Sequence, residues 1–230
     1  MKTKVTKDRP IITLKVATSL DSRIATVNGA SQWITGPESR AEVHRMRAAH
    51  DAVLTGIGTV LADDPELTAR LEPPPARQPW RVVLDRDGRL PTTSKLVQTT
   101  DRAGLIWCTG GHVPPQSLAE LSEVKHHLVG PSQAGTVGLD LNEVLSILTD
   151  TYQIKNLMVE SGPVLATAFM RAGLVDHLAW FRAPLLLGGD GRPVFDSLNV
   201  QDLSQAWVLE QSDHKQFGRD FLDCFDLSPT

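Results

Sequence analysis

The sequence predicts an α/β sandwich around a mostly parallel sheet, and three observations carry that expectation. Apolar runs of strand length alternate with helix-period stretches at intervals of roughly 20–30 residues. Two of these runs end in a glycine corner that opens a helix, the junction at which α/β sheets gather ligands. Residues 175–183 and 206–211 are strand-like with no convincing helix between them, which places an antiparallel edge on the C-terminal side.

In chain order, residues 11–18 (IITLKVAT) read as a strand with Lys15 inside it. A lysine there is either an edge-facing charge or a group reaching into a cleft. Residues 19–23 turn, and residues 29–34 (GASQWI) form a loop whose Trp33 either stacks on a flat ligand or anchors a core. Pro37 suits a first helical turn, and a helix over 38–50 follows. Arg40, Arg45 and Arg47 are most simply its solvated face.

The stretch Val53 to Arg70, VLTGIGTVLADDPELTAR, reads as a strand, a tight Gly-Ile-Gly-Thr turn, a short helical piece and two carboxylates before Pro65. Its glycines and Thr59 could receive a phosphate or form an unliganded βα turn. Four prolines make residues 72–79 a loop, and residues 80–85 (WRVVLD) resume a buried strand. Strands follow at 105–109 and 127–129. Pro114-Pro115 marks a turn between them, before a short helix near 117–122. A helix over 139–149 and a strand over 155–160 lead to Glu160, after which Ser161-Gly162-Pro163 opens a helix to Arg171. This second corner makes Glu160 and Asp63 candidate cleft carboxylates and residues 162–166 a candidate pyrophosphate cradle. Both corners are expected to border one groove. Gly188-Gly189-Asp190-Gly191 reads as another ligand loop or a tight connection, the second being favoured, and residues 218–225 close the sheet in this reading.

The 230 residues, 41% hydrophobic and 22% charged, describe one ordinary globular domain spanning 1–230. A net charge of −4 argues against a general nucleic-acid binder. Two cysteines, Cys108 and Cys224, cannot build a disulfide framework or a thiolate metal site. No signal peptide opens the chain and no run is long enough to span a membrane. A cytoplasmic enzyme or binding protein with no metal is expected.

Taken together, LKVATSLDSRIA at 14–25, SQWIT at 31–35, the stretch 53–70, VESGPVLATAFMRAGLVDHL at 159–178 and APLLLGGDG at 183–191 resemble the reductase domain of riboflavin biosynthesis. The likeness covers most of residues 10–195, in family order. It implies a dihydrofolate reductase-like, three-layer α/β/α sandwich that uses NADPH to reduce a phosphorylated ribosylaminopyrimidine to its ribityl form. By that resemblance Ala17, Trp33, Thr59, Asp63 and Gly162, Pro163, Val164, Leu165, Ala166, Thr167 and Ala168 contact NADPH. Ser31, Arg47, Leu67, Arg70 and Glu160 hold the substrate, which moves Arg47 from a solvated face to a phosphate clamp beside Arg70. Asp63, Glu160 and Lys15 are the candidate catalytic residues, the first two for polar organisation and Lys15 as a proton donor.

Two departures stand out: Ala17 replaces a commoner glycine, and Arg86 stands where many members carry a small hydroxyl residue that touches the cofactor. Arg86 either loses that contact or pairs with the 2′-phosphate. No His-x-Glu with a downstream Pro-Cys-x-x-Cys occurs, so the zinc deaminase often fused to this domain is expected to be missing. The family likeness suggests a homodimer. Two alternatives share the fold: an NADPH reductase for another pterin or pyrimidine, and a non-catalytic nucleotide-binding protein.

Overall fold

The computed structural model describes residues 9–111, 113, 115–131 and 138–227; the expected turn residue Pro114 and the charged start before residue 9 lie outside that set. In chain order the elements are β1 (Ile11–Ser19), β2 (Arg23–Ala25), α1 (Pro37–Ala49), β3 (Ala52–Gly56), α2 (Ile57–Asp63), β4 (Trp80–Leu84), α3 (Lys95–Gln98) and β5 (Leu105–Thr109). They continue as α4 (Pro115–Glu120), β6 (Lys125–Leu128), α5 (Leu141–Tyr152), β7 (Asn156–Glu160), α6 (Pro163–Arg171), β8 (His177–Ala183), β9 (Arg192–Pro193), β10 (Glu210–Phe217) and β11 (Asp220–Asp226). The chain forms two compact units: Met1–Ile11, His50–Thr68 and Arg77–Leu157 make the first, and Ile12–Ala49, Ala69–Ala76 and Met158–Thr230 the second.

The first unit is built on parallel strands β3, β4, β5 and β6, each paired with the next. β5 is buried along its whole length, which is why it reads as an unbroken apolar run. Inside β4 the fully buried Arg81 reaches the Thr99 hydroxyl at 2.7 Å, the Thr99 carbonyl at 3.1 Å and the Ala103 carbonyl. It thereby fastens the turn that leads into β5. Gly104 is required there, because a Cβ would lie 2.1 Å from the Trp80 ring. α5 starts on Asp140, whose carboxylate accepts from the Asn142 and Glu143 amides, and it buries Val144, Leu145 and Leu148.

In the second unit β1 runs parallel to β8, from Thr13 against His177 to Ser19 against Ala183. β11 is antiparallel to β8, and β10 is antiparallel to β11. The antiparallel C-terminal edge is therefore present, with β11 in the place expected for residues 206–211. The strand expected over 206–211 is β10, which begins only at Glu210, after a 3-10 turn at Leu203–Gln205 capped by Asp202. Apolar Ala206, Trp207 and Val208 gave a false strand signal, while the true strand, EQSDHKQF, is polar because it is exposed along nearly its whole length.

The GGDG connection is structural. The Asp21 carboxylate accepts from the Leu187 and Gly188 amides and from the Ser19 hydroxyl. That hydroxyl is the chief reason the Asp21 carboxyl is pulled down to about 2. The connection ends in a two-strand pairing of β2 with β9, too short to read from sequence.

Helix α1 is seated by Asp220, a fully buried residue of β11 whose Oδ2 accepts from the Gly36 amide at 2.6 Å and the Ser39 hydroxyl at 2.7 Å. A carboxylate from a distant strand thus does the work of an N-cap. Asp220→Ala is expected to lower stability by about 2–4 kcal/mol in urea denaturation. A loss below about 1 kcal/mol would show the helix start to be held elsewhere. No helix among the described residues is long and apolar enough to cross a membrane.

Candidate active site

The centre of the second unit is a buried charge cluster. β1 alternates buried residues at 12, 14 and 16 with half-buried ones at 13, 15 and 17, so Lys15 and Ala17 share a face. β7 ends on Glu160, and the last turn of α1 carries Arg47. The Arg47 guanidinium binds the Glu160 carboxylate through both oxygens, Nε to Oε1 at 2.6 Å and Nη2 to Oε2 at 3.0 Å. Both side chains are only 12% exposed. Lys15 Nζ lies 3.7 Å from Oε2, an ion pair beyond direct hydrogen-bond reach. Its ammonium also sits 5.8 Å from the Phe181 ring centroid. Lys15 is therefore not an edge-facing charge: its side chain is only 15% exposed and is paired with Glu160.

Two cations around one carboxylate leave a net positive centre. Burial works against the Glu160 anion, but Arg47 and then Lys15 overcome it and hold the carboxyl at about 2. Glu160 is therefore ionised at neutral pH. Lys15 is moved the other way from an ordinary partnered lysine: burial lowers it, Arg47 lowers it further, and Glu160 opposes both. Burial is the largest influence, and the attraction of Glu160 offsets it only in part. An ammonium so placed gives up its proton more readily than a surface lysine.

Helix α1 contributes more than Arg47. His44, one turn earlier, accepts at Nδ1 from the Arg70 amide at 3.2 Å. Arg40, another turn back, donates to the Thr35 carbonyl at 2.8 Å and lies 4.5 Å from the Trp33 ring centroid. Only Arg45 fits the solvated-face reading: it pairs with Glu42 at 2.7 Å and is 60% exposed. For Arg40 and Arg47 that reading is corrected, because each is held against a neighbouring segment.

The nearby α6 corner can accept an anion. Pro163 occupies the first turn, Gly162 is extended at the cap, and no side chain caps the helix. A Cβ at Gly162 would meet nothing within 4 Å, so its approach is open. Val164 is exposed and Leu165 half-buried, whereas Ala166 and Thr167 point inward, with the Thr167 hydroxyl accepting from the Asp196 amide at 2.8 Å. Trp33 is 66% exposed, an indole presented rather than packed. Ser31 is half-buried in the same loop, and Arg70 is exposed. These features suit a dinucleotide: a flat aromatic surface, open helix amides and no side chain in the way.

The other candidate residues belong to the first unit. The expected Gly-Ile-Gly-Thr turn is instead the end of β3 and the first turn of α2: Gly56 caps the helix in an extended conformation. Neither Gly56 nor Gly58 uses a positive φ, and a Cβ at Gly58 would meet only open space. Thr59 is half-buried and Asp63 is exposed at the end of α2, followed by Asp64 in the left-handed region. Leu67 is buried at φ 56°.

Arg86, just past β4, is bound by Asp87 through two hydrogen bonds of 2.7 and 3.0 Å. If the guanidinium exchanges Asp87 for a 2′-phosphate, Arg86→Ala will cut the NADPH-over-NADH preference by about 10-fold, read from the two Michaelis constants. An unchanged ratio would remove Arg86 from cofactor selection.

The model of the RibD C-terminal domain matches residues 10–222. The chain belongs to this family. Among curated relatives, the Escherichia coli riboflavin biosynthesis protein RibD is 36% identical over 92% of this chain and 58% of its own length. The 2,5-diamino-6-ribosylamino-4(3H)-pyrimidinone 5′-phosphate reductase of Methanothermobacter thermautotrophicus is 35% identical over 93% of this chain and 96% of its own. Among solved structures, the diaminohydroxyphosphoribosylaminopyrimidine deaminase/5-amino-6-(5-phosphoribosylamino)uracil reductase of Thermotoga maritima superposes with a TM-score of 0.79. It shares 31% identity over 97% of this chain and 58% of its own. The chain thus spans a little under three fifths of the RibD relatives it matches.

As a RibD C-terminal domain the chain has the expected fold class, the dihydrofolate reductase-like three-layer α/β/α sandwich. Within it, sequence reasoning missed His44 and Arg40. Their one signal is spacing, since Arg40, His44 and Arg47 fall on one helical stripe.

Proposed function

We propose that this RibD-type domain reduces the ribosyl group of 5-amino-6-(5-phosphoribosylamino)uracil to the ribityl form with NADPH. The observation that carries the reading is the buried Lys15–Glu160–Arg47 cluster, a positive centre with a permanent carboxylate and an acidified ammonium. In this reading Ala17, Trp33 and Gly162 through Ala168 contact the dinucleotide. Ser31, Arg47, Leu67, Arg70 and Glu160 hold the substrate, and the working form is a homodimer.

The sugar must open before it can be reduced. As the glycosidic nitrogen expels the ring oxygen, Lys15 gives that oxygen a proton and becomes the neutral amine, leaving a cationic imine at C1′. The Glu160 anion stabilises that cation, and Arg47 keeps the carboxylate aimed and deprotonated. Bound NADPH supplies the hydride that C1′ accepts. The exposed Arg70 guanidinium suits the sugar phosphate, a bidentate partner for a planar fork.

A second reading concerns the base. The archaeal relative spanned almost end to end is named a reductase of the 2,5-diamino pyrimidinone, whereas the Thermotoga protein is named for the uracil. Steady-state NADPH oxidation with each phosphorylated compound decides between them. The uracil compound is expected to turn over with the higher kcat/KM. Oxidation only with a pterin or pyrimidine lacking the ribosyl phosphate would move the protein to another reductase activity. Binding without turnover of any of them would leave a nucleotide-binding protein.

A further inference from the structure

Three residues of α1, Arg40, His44 and Arg47, lie at the i, i+4 and i+7 positions that share one helical face. Each holds a different segment of the second unit. Arg47 fixes Glu160, His44 fixes the Arg70 amide, and Arg40 fixes the loop that carries Trp33. We propose that Arg40 and His44 are positioning residues acting on different ligands: Arg40 serves the dinucleotide through Trp33, and His44 serves the sugar phosphate through Arg70. The inference rests on the reductase reading for the ligands' identities.

Arg40 has the geometry for its role. Its guanidinium lies over the indole at 4.5 Å from the centroid and is anchored by the Thr35 carbonyl two residues beyond Trp33. The loop is tied at its far end by Asp220 on the Gly36 amide, and near its start by the Thr26 hydroxyl on the Ala30 amide. A large indole left 66% exposed would ordinarily turn its apolar surface inward. Stacking against a cation gives it a preferred orientation without burying it. A ligand then meets an aromatic surface that is already ordered, which lowers the entropy lost on binding.

His44 acts on the backbone. Arg70 opens outward directly after the buried run Leu67, Thr68 and Ala69, and its own side chain is exposed. The amide bond to His44 Nδ1 fixes the point from which that side chain departs. For Nδ1 to accept an amide hydrogen, the imidazole must carry its proton on Nε2. The replacement that keeps an acceptor near Nδ1 is asparagine, whose side-chain oxygen occupies a similar position. Leucine keeps the volume and removes the acceptor.

The test measures two affinities on each variant: NADPH by fluorescence titration and ribose 5-phosphate by calorimetry. Arg40→Met should weaken NADPH about 3- to 30-fold and leave ribose 5-phosphate within about 2-fold. His44→Leu should weaken ribose 5-phosphate about 3- to 10-fold and leave NADPH unchanged, and His44→Asn should restore most of the loss. Combining Arg40→Met with Trp33→Leu should cost no more NADPH affinity than Trp33→Leu by itself.

General loosening of α1 would instead move both affinities together in both variants, and that outcome overturns the inference. Additive losses in the Arg40–Trp33 pair would overturn it too, because Arg40 would then touch the dinucleotide directly. If the unmodified protein binds neither ligand, the reductase reading itself fails and this inference falls with it. If both ligands bind and the split is missing, only the inference is lost.

Discussion

Lys15→Met is expected to slow single-turnover hydride transfer by about 10²–10⁴-fold, the range for removing a positioned proton donor. NADPH affinity should change little, because the open α6 amides and Trp33 stand apart from the ammonium's role. The pH profile gives an independent sign. Burial lowers Lys15 below its ordinary value, so the donor is lost as pH rises through that lowered value. The wild-type rate should fall on the alkaline side below the free-lysine value of about 10.4. Lys15→Arg keeps the charge but does not titrate in this range, so any activity it retains should lack that alkaline limb. An alkaline limb unmoved in Lys15→Arg would assign the proton to another group.

Glu160→Ala should be the most destabilising change in the site, by about 3–5 kcal/mol, because it leaves the buried Arg47 and Lys15 without their anion. Linkage gives the same order. A carboxyl held at about 2, against an ordinary value near 4.3, corresponds to roughly 3 kcal/mol. The folded pKa is depressed, so this stability is fully present above the unfolded value and is lost as pH falls toward 2. Wild type should therefore lose stability in that acid window, and Glu160→Ala should show a flatter profile there. Adding Arg47→Met to Glu160→Ala should recover part of the loss, since one stranded cation is then removed. Full stability in Glu160→Ala at neutral pH would mean that water already screens the cluster.

The elements most legible in the sequence were those whose burial matches their composition. β5 reads as apolar because both its faces are covered, and α6 is announced by Gly162-Pro163 at its start. The errors have physical causes. β10 is polar because almost all of it faces solvent, so apolar residues just upstream attracted the strand assignment. The Gly56–Thr59 corner was read as a turn because glycine permits one, yet the backbone there is ordinary strand and helix.

In the candidate site, Glu160 is legible because it ends a strand before a glycine corner. The local pattern of Arg47 points to solvent, and only the family resemblance points to the substrate. The only trace of His44 and Arg40 is their spacing with Arg47 on α1. A charged stripe at i, i+4 and i+7 looks the same whether it faces water or a binding site, and only its tertiary partners tell the two apart.

The most direct measurement follows the hydride itself. The domain is supplied with NADPH deuterated at the transferable C4 position and with the phosphorylated ribosylaminopyrimidine, and the product is read by mass and NMR. One deuterium at C1′ of a ribityl chain is the expected result, and in Lys15→Met it should appear about 10²–10⁴-fold more slowly. Oxidised cofactor with no deuterium at C1′, or with label on the pyrimidine ring, would contradict the account.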